Sequence, residues 1–306
     1  MAPSLSSYLS LASLYTFYLR RCFSAAGLSE KTAPTDPTTT VQFWSPTKPN
    51  PRNPSLLLLH GFGPVATWQW RRQVQHLATR YNVYVPNLVF FGDSHTTSSR
   101  RSEVFQAEAV AALMDKLGVA GKYSVVGTSY GGFVAYHVAR MFPDRVEKVV
   151  VASSGINMRP ADNDELVRKA KVESIGDLML PQTASHLRAL LGVAASASVR
   201  RAPDFLLNDL VNVKLYAEKR NEKLELLQGL TLGQDDTPTL SPLQQEVLLI
   251  WGEEDQIFPL KMAHELKGLI GKKNNVKLEV MKKASHVPQI EDAPQFNKIL
   301  HAFLSS

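Results

Sequence analysis

The sequence predicts an α/β fold, with a mostly parallel central sheet flanked by helices and a helical insertion. Three observations support this class. Strand and helix patterns alternate over residues 56–152 and again over 247–305, as in chains that form parallel sheets. Between these two stretches, residues 157–242 carry helical patterns only. Within the first stretch, a glycine-flanked serine, Ser129, stands directly between a strand pattern and a helix pattern.

The composition is that of one globular catalytic domain that carries an insertion. The chain has 306 residues, of which 44% are apolar and 20% are charged, enough to bury a large core. The net charge is +6, but the basic residues form no long block and no motif interleaved with aromatic residues. We therefore expect no nucleic-acid partner. Cys22 is the only cysteine, which excludes an intrachain disulfide and indicates a reducing compartment, the cytoplasm.

Residues 1–38 are predicted to form an N-terminal amphipathic helix and a linker. Apolar residues surround a polar stripe made by Ser6, Ser10 and Ser13. The stretch is too rich in serine for a membrane-spanning helix, and its arginines follow the apolar part, unlike those of a secretory signal. Three interpretations stay open: a plastid transit peptide, a peripheral membrane contact through residues 1–28, and a helix packed on the protein's own surface.

The core is predicted to comprise residues 39–156 and 243–306. Short apolar runs between turn residues predict strands at 39–44, 56–59, 82–85, 123–126, 148–152, 247–251 and 277–281. Apolar residues at helical spacing predict helices at 68–79, 106–117, 133–139, 260–270 and 295–304. The insertion, residues 157–242, is predicted to be a helical lid, most clearly at 178–191, 204–216 and 218–230.

Ser129 is the candidate nucleophile. It lies at the centre of Gly-Thr-Ser-Tyr-Gly, residues 127–131, between the strand at 123–126 and the following helix. In this setting a G-x-S-x-G sequence forms a sharp, strained turn that lifts the serine hydroxyl clear of the sheet. The glycines on either side let the backbone pass without clashes from Cβ atoms.

A serine hydroxyl needs a base, and the base needs an acid that holds it in one tautomer. In this fold class the order along the chain is Ser, then Asp or Glu, then His. Asp255 follows the strand at 247–251, and His286 follows the strand at 277–281. Glu253 and Glu254 are alternatives for the acid, although a D-x-x-x-P spacing favours Asp255. The other histidines lie in the loop at residues 60–63, in predicted helices, in the lid or outside any motif.

The sequence also suggests an oxyanion hole. One donor is the backbone N–H after the nucleophile, that of Tyr130, and the other comes from the loop after an earlier strand. His-Gly-Phe-Gly at residues 60–63 occupies that loop, so Phe62 N–H is the natural second donor. The loop lacks the full G-x-G-x-x-G fingerprint of a dinucleotide site. We find no metal-ligand spacing either, and we expect no cofactor and no metal.

These pieces together resemble the α/β-hydrolase superfamily over about residues 39–305. The matching segments are 60–63, 85–94, 127–133 and 251–259. Within the superfamily, the chain looks like a plant branch of monoacylglycerol-lipase-like and carbon–carbon-bond hydrolases. Residues 18–23 also resemble that branch, which counts against a transit peptide. Two positions depart from it: Asn87, where relatives usually carry Asp, and Thr128, where many carry His.

The resemblance implies an α/β-hydrolase fold with a helical lid and a reaction through an acyl-serine. The expected function is hydrolysis of a carboxylic ester of a hydrophobic small molecule or lipid, because the lid supplies many leucines to a substrate pocket. A carbon–carbon bond hydrolase or lyase would keep the same three catalytic residues. A small-molecule receptor on this fold is a further alternative, but such receptors resemble G-H-S-V-S where this chain has G-T-S-Y-G.

Overall fold

A computed structural model describes residues 10–195, 202–212, 216, 218–272 and 274–306. In this part of the chain, the strands are β1 Leu28–Pro34, β2 Thr39–Pro46, β3 Ser55–Leu59, β4 Asn82–Pro86, β5 His95–Thr96, β6 Tyr123–Thr128, β7 Val146–Ala152, β8 Glu246–Gly252 and β9 Val276–Met281. The helices outside the lid are α1 Leu11–Ala25, α2 Ala66–Leu77, α3 Glu103–Lys116, α4 Tyr130–Met141, α10 Leu260–Ile270, α11 Pro288–Glu291 and α12 Ala293–Leu304. The lid helices are α5 Pro160–Ala170, α6 Ile175–Met179, α7 Ala184–Ala194, α8 Asp204–Asn212 and α9 Arg220–Gln228.

The strands form one sheet in the order β1-β2-β4-β3-β6-β7-β8-β9, with β5 beside β2. Strands β4, β3, β6, β7, β8 and β9 run parallel, whereas β1, β2 and β5 pair antiparallel. The inner parallel strands β3, β6, β7 and β8 are covered on both faces, which explains their nearly continuous apolar sequences, whereas the edge strand β9 alternates with the exposed Lys277 and Glu279. The predicted mostly parallel sheet flanked by helices is confirmed. Its topology places the carboxyl ends of β6, β8 and β9 along one edge.

Alternating residues of the strands divide the core into two layers. On one face, Leu57 and Val125 pack with α3, α4 and α10. On the other face, Leu56 and Val126 pack with α2, α12 and the inner side of α1. All four of these side chains are fully buried. This arrangement follows from the two-residue period of a strand, which sends neighbouring side chains to opposite faces.

The edge strand β1 differs from the linker predicted for the residues up to 38. It pairs with β2 along its whole length, from Leu28 opposite Pro46 to Pro34 opposite Thr40. Its sequence has no apolar alternation, and most of its residues are partly or fully exposed. Backbone hydrogen bonds to β2 therefore define this strand, and a hydrophobicity pattern does not reveal it.

Helix α1 packs against the body of the protein. The Ser10 hydroxyl accepts a hydrogen bond from Ser13 N–H (3.1 Å) and so caps the helix N-terminus. On the inner face, Leu19 and Phe23 are fully buried, and Phe23 meets the Trp44 ring edge-on at 5.2 Å. The part of the helix predicted for residues 1–9 lies outside the described residues. No helix in the described part of the chain is long and apolar enough to cross a membrane.

The lid contains more breaks than its apolar pattern indicates. The helix predicted at 178–191 is two helices, α6 and α7, because Pro181 lies between them. The Thr183 hydroxyl begins α7 by accepting a hydrogen bond from His186 N–H (3.1 Å). Part of the helix predicted at 204–216 is α8, and residues 213–215 lie outside the described residues. The division of the chain into N-terminal segment, core and lid stays a proposal.

Candidate active site

Ser129 occupies a strained turn between β6 and α4. Its backbone has φ +51° and ψ −122°, a region that costs a residue other than glycine roughly 1–3 kcal/mol. A Cβ atom at Gly127 would overlap the Gly131 backbone, and one at Gly131 would overlap the Leu59 carbonyl. These two contacts explain why both flanking positions are glycine. Hydrogen bonds from Ser129 N–H to Ala152 O (2.9 Å) and from the Ser154 hydroxyl to Ser129 O (2.7 Å) hold the turn.

The three residues predicted for the triad come together at the carboxyl ends of β6, β8 and β9. His286 Nε2 lies 3.0 Å from Ser129 Oγ. His286 Nδ1 lies 3.2 and 3.1 Å from the two carboxylate oxygens of Asp255. The side chains of His286 and Asp255 are 7% and 0% exposed, respectively. With a proton on Nδ1, the imidazole can accept the serine proton at Nε2.

Asp255, and neither neighbouring glutamate, contacts the histidine. The Asp255 Oδ1 atom also accepts hydrogen bonds from Ile257 N–H (2.9 Å) and Phe258 N–H (3.0 Å). These donors orient the carboxylate toward His286. Glu253 and Glu254 are exposed to solvent. The geometry therefore favours Asp255 as the acid partner.

Hydrogen bonds that could not be predicted from the sequence hold the loop that carries His286. Ser285 N–H donates to Glu291 Oε2 (2.6 Å), and the Ser285 hydroxyl lies 2.5 Å from Glu291 Oε1. The same hydroxyl lies 3.0 Å from the carbonyl oxygen of Ala194, at the end of lid helix α7. Ser285 thus connects the residue beside His286 to both α11 and the lid. A serine and a glutamate six residues apart carry no sequence signal for this role.

The loop at residues 60–63 runs directly beside the nucleophile. A Cβ atom at Gly61 would lie 2.9 Å from Ser129 Cβ, so this close approach requires glycine. The Gln69 side chain holds the loop from α2. Its Oε1 accepts from Gly61 N–H (2.8 Å), and its Nε2 donates to Gly61 O (3.1 Å) and Pro64 O (3.2 Å). Sequence reasoning did not identify Gln69.

Phe62 and Tyr130 lie beside Ser129. Their rings pack edge-to-face with centroids 5.6 Å apart, and both residues line a small cavity together with Ser129. Tyr130 is the first residue of α4, so its N–H is one of the amides that a helix leaves without an internal acceptor. This arrangement is compatible with both amides serving as oxyanion donors.

His60 is the first residue of the same loop, and both nitrogen atoms of its ring form hydrogen bonds with the backbone. Its Nε2 accepts from Leu88 N–H (3.0 Å), so Nδ1 carries the proton and donates to Gly61 O (2.8 Å). Burial lowers the pKa of the His60 imidazole to about 4, because the charged form would lose its hydration. His60 is therefore a neutral histidine at the start of the loop at residues 60–63.

Ser129 lines two cavities. The larger, ≈ 340 Å³, lies under the lid. Its described lining residues are Gly61, Phe62, Pro64, Trp68, Gln69, Thr128, Ser129, Met179, Leu187, Leu190, Leu191, Ala194, Ala195, Ala202, Leu207, Leu210, Tyr216, Ile257, His286, Val287, Gln289, Ile290 and Glu291. The smaller, ≈ 60 Å³, is lined mainly by aromatic and aliphatic side chains. Among the described residues, no group of three or more His, Cys, Asp or Glu side chains could hold a metal ion.

The two departures from the resembled branch lie outside the triad. Asn87 Nδ2 donates to Gln42 Oε1 (2.6 Å), and Asn87 Oδ1 accepts from Ala66 N–H at the start of α2 (2.9 Å). An aspartate could not make the first of these bonds, so the local hydrogen bonding depends on the amide. Thr128 lines the larger cavity beside Ser129.

Comparisons with known proteins agree with this architecture. The family model described as alpha/beta hydrolase fold matches residues 54–293. The chain is 28% identical over 261 residues to a 2-hydroxy-6-oxononadienedioate/2-hydroxy-6-oxononatrienedioate hydrolase of Burkholderia vietnamiensis, covering 82% of this chain and 87% of that protein. It is 24% identical over 251 residues to the pimeloyl-[acyl-carrier protein] methyl ester esterase of Aliivibrio salmonicida, covering 81% and 91%.

Solved structures share the fold. A bacterial membrane phospholipase A superposes with a TM-score of 0.78 at 23% identity, covering 98% of this chain and 92% of that one. The 2-hydroxy-6-oxo-6-phenylhexa-2,4-dienoate hydrolase of a Rhodococcus strain gives a TM-score of 0.75 at 21% identity, covering 91% and 99%. The relatives named above are bacterial, so the plant branch stays a prediction. The family match and the relatives support a hydrolytic enzyme, and the chain belongs to the alpha/beta hydrolase fold family.

Proposed function

We propose that this protein is a serine hydrolase that cleaves a carboxylic ester of a hydrophobic small molecule or lipid. One observation carries the proposal. Hydrogen bonds connect Ser129 to His286 and His286 to Asp255, and Ser129 and His286 line an apolar cavity of ≈ 340 Å³. The methyl ester esterase and the phospholipase A described above support ester chemistry on this scaffold. The single cysteine, Cys22, supports a reducing compartment, the cytoplasm.

In the proposed reaction, Ser129 Oγ attacks the ester carbonyl while His286 Nε2 takes its proton. Asp255 stabilises the imidazolium that forms. The backbone N–H groups of Phe62 and Tyr130 would stabilise the negative charge on the carbonyl oxygen. His286 then gives the proton to the departing alcohol. A water molecule, activated by the same histidine, hydrolyses the acyl-serine and restores Ser129.

The two cavities suggest how the substrate is divided. The larger cavity is bounded by lid leucines such as Leu187 and Leu207 and suits an apolar acyl group. The smaller one, between Phe62 and Phe258, suits a small alcohol group. We therefore expect esters with a bulky apolar acyl chain and a short alcohol to be the better substrates.

Hydrolysis of a carbon–carbon bond is the second candidate, supported by the relatives that act on 2-hydroxy-6-oxo dienoates. Those compounds carry carboxylates, which proteins recognise best with arginine or lysine. Among the described residues that line the two cavities, none is an arginine or a lysine. The described part of the lining therefore offers no positive side chain to such a carboxylate.

A fluorophosphonate label followed by intact mass measurement tests the proposal. We expect a single adduct on the wild type and none on Ser129→Ala, with Ser24→Ala, an exposed serine in α1, as the matched control. Steady turnover of methyl esters with a bulky apolar acyl chain, and of activated p-nitrophenyl esters, should accompany labelling. Labelling without ester turnover would overturn the esterase assignment in favour of the carbon–carbon hydrolase, lyase or receptor alternatives. Labelling of Ser129→Ala would overturn the choice of nucleophile.

A further inference from the structure

Helix α1 carries an apolar surface that the fold leaves in solvent. Its five residues, which we call the α1 ridge, are Leu11 (53% exposed), Leu14 (55%), Tyr15 (40%), Phe17 (64%) and Tyr18 (48%). Residues 11, 14, 15 and 18 follow the spacing of one helical face. The adjoining stripe of Ala12, Leu19, Cys22 and Phe23 is already buried against the body of the protein. A helix that is apolar on two sides has a second surface to cover.

Most of the charges around the ridge are positive, the exceptions being Asp209, which accepts from Ala12 N–H (2.8 Å), and Glu30, which pairs with Arg20. Helix α1 contains no acidic residue, and Arg21 at its end is exposed. On the adjoining helix α2, the Arg71 guanidinium lies over the Tyr18 ring at 5.6 Å and donates to the Tyr18 hydroxyl (3.1 Å). Arg72 is exposed beside it. Leucine and aromatic side chains bordered by arginines are typical of helices that lie on anionic lipid surfaces.

The ridge is continuous with the wall of the larger cavity. The Tyr15 ring meets the Trp68 ring edge-on with centroids 4.9 Å apart, and Trp68 Nε1–H donates to Thr16 Oγ1 (3.2 Å). Trp68 itself lines the cavity that holds Ser129. On the lid side, Ala12 N–H donates to Asp209 of α8 (2.8 Å). Helix α8 also contributes to the wall of this cavity, so α1 contacts two elements, α2 and α8, that line the same cavity.

We propose that the α1 ridge docks on the surface of an anionic lipid bilayer and thereby presents the cavity to lipid-dissolved esters. The statement that docking gives substrates access to the cavity rests on the proposed function. The statement that α1 docks on a bilayer does not. A bilayer fits better than a protein partner because the ridge offers almost only hydrocarbon and aromatic surface, with cations at its border. The contact is peripheral: α1 lies along the surface with its inner face still packed on the protein.

Vesicle flotation of the full chain tests docking. Vesicles of phosphatidylcholine and phosphatidylserine in equal parts are compared with phosphatidylcholine alone, using Ser129→Ala so that hydrolysis plays no part. We expect flotation with the anionic vesicles and a loss of about tenfold in binding for Leu14→Ser with Phe17→Ser, given the apolar area removed. Leu14→Met with Phe17→Leu is the matched control and should bind as before, because a bilayer accepts any apolar shape.

Three results would overturn the proposal. These are absence of flotation, equal flotation of the serine double variant, and loss of binding in the conservative double variant, which would indicate a shaped protein interface. Light scattering in the absence of lipid tests the remaining alternative, a second copy of the chain on the ridge. A wild-type dimer that binds no vesicle and dissociates in the variant Leu14→Ser with Phe17→Ser would assign the ridge to that second copy. In the enzyme that keeps Ser129, the variant Leu14→Ser with Phe17→Ser should hydrolyse soluble esters at the wild-type rate. A failure of docking can therefore be distinguished from a failure of catalysis.

Discussion

Gly252 and Ser285 lie so close together that a Cβ atom on Gly252 would overlap the Ser285 carbonyl oxygen. Gly252 ends β8 just before Asp255, and Ser285 directly precedes His286. Backbone hydrogen bonds from Glu253 N–H to Met281 O (3.0 Å) and from Glu254 N–H to Ala284 O (2.9 Å) join the same two loops. The relative position of Asp255 and His286 is thus set by backbone contacts between their two loops as well as by the hydrogen bond between the two side chains.

Gly252→Ala should separate these loops. We expect kcat for a p-nitrophenyl ester to fall by about 10- to 100-fold, because small displacements of catalytic groups are costly, and stability to fall by about 1–3 kcal/mol from overpacking. Steady-state kinetics and urea unfolding measure the two effects. Gly268→Ala, in helix α10 with open space around its Cβ position, is the control. Wild-type kcat in Gly252→Ala would contradict the importance of this contact.

Asp255→Asn should preserve the fold and remove most of the turnover. The amide favours the wrong histidine tautomer, and comparable changes elsewhere lower kcat by about 10⁴-fold. The exposed neighbour Glu254→Gln should retain wild-type kcat, measured with the same ester. If Asp255→Asn stayed fully active and Glu254→Gln did not, the acid would have to be reassigned.

Gln69→Leu should loosen the oxyanion loop without emptying its space. The variant loses the hydrogen bonds to Gly61 and Pro64, so the Phe62 amide is no longer held beside Ser129. We expect kcat to fall by about tenfold or more with a smaller change in KM, since a misplaced oxyanion donor acts mainly in the transition state. Gln75→Ala, an exposed glutamine of the same helix, serves as the control. A change in KM alone would instead indicate a role in substrate binding.

His60 should make the protein less stable in mild acid. Its folded-state pKa is about 4, below the ordinary histidine value of 6.5, so between these values the unfolded chain binds a proton that the folded one does not. Stability from this group is complete above about pH 6.5 and decreases as the pH falls, by at most roughly 3 kcal/mol. Urea unfolding across this pH range measures the slope.

The slope should be reduced in His60→Gln and unchanged in His95→Gln, whose histidine is exposed. The comparison uses the change in unfolding free energy with pH, because His60→Gln also alters the hydrogen bond to Leu88. An unchanged slope in His60→Gln would show that another group causes the acid sensitivity.

Features governed by residues close in sequence could be predicted from the sequence. The Ser129 turn depends on backbone sterics within five residues, which is why its glycines are visible in the chain. The alternation of strands and helices, and the order of Ser129, Asp255 and His286, likewise follow from local patterns and short motifs. The same local signals indicated the loop at 60–63.

Other features depend on segments that only folding brings together. The D-x-x-x-P spacing favoured Asp255 over Glu253 and Glu254, but the contact of Asp255 with His286, 31 residues further along the chain, is made only in the folded protein. The contacts of Gln69 with Gly61 and of Ser285 with Glu291 are made by common polar residues whose value lies in their position. Strand β1 exists through its pairing with β2. The sequence alone therefore determined the class of fold and the chemical groups available, whereas the tertiary structure decided which of them meet, because hydrogen bonding at a site depends on distance and direction between segments far apart in the chain.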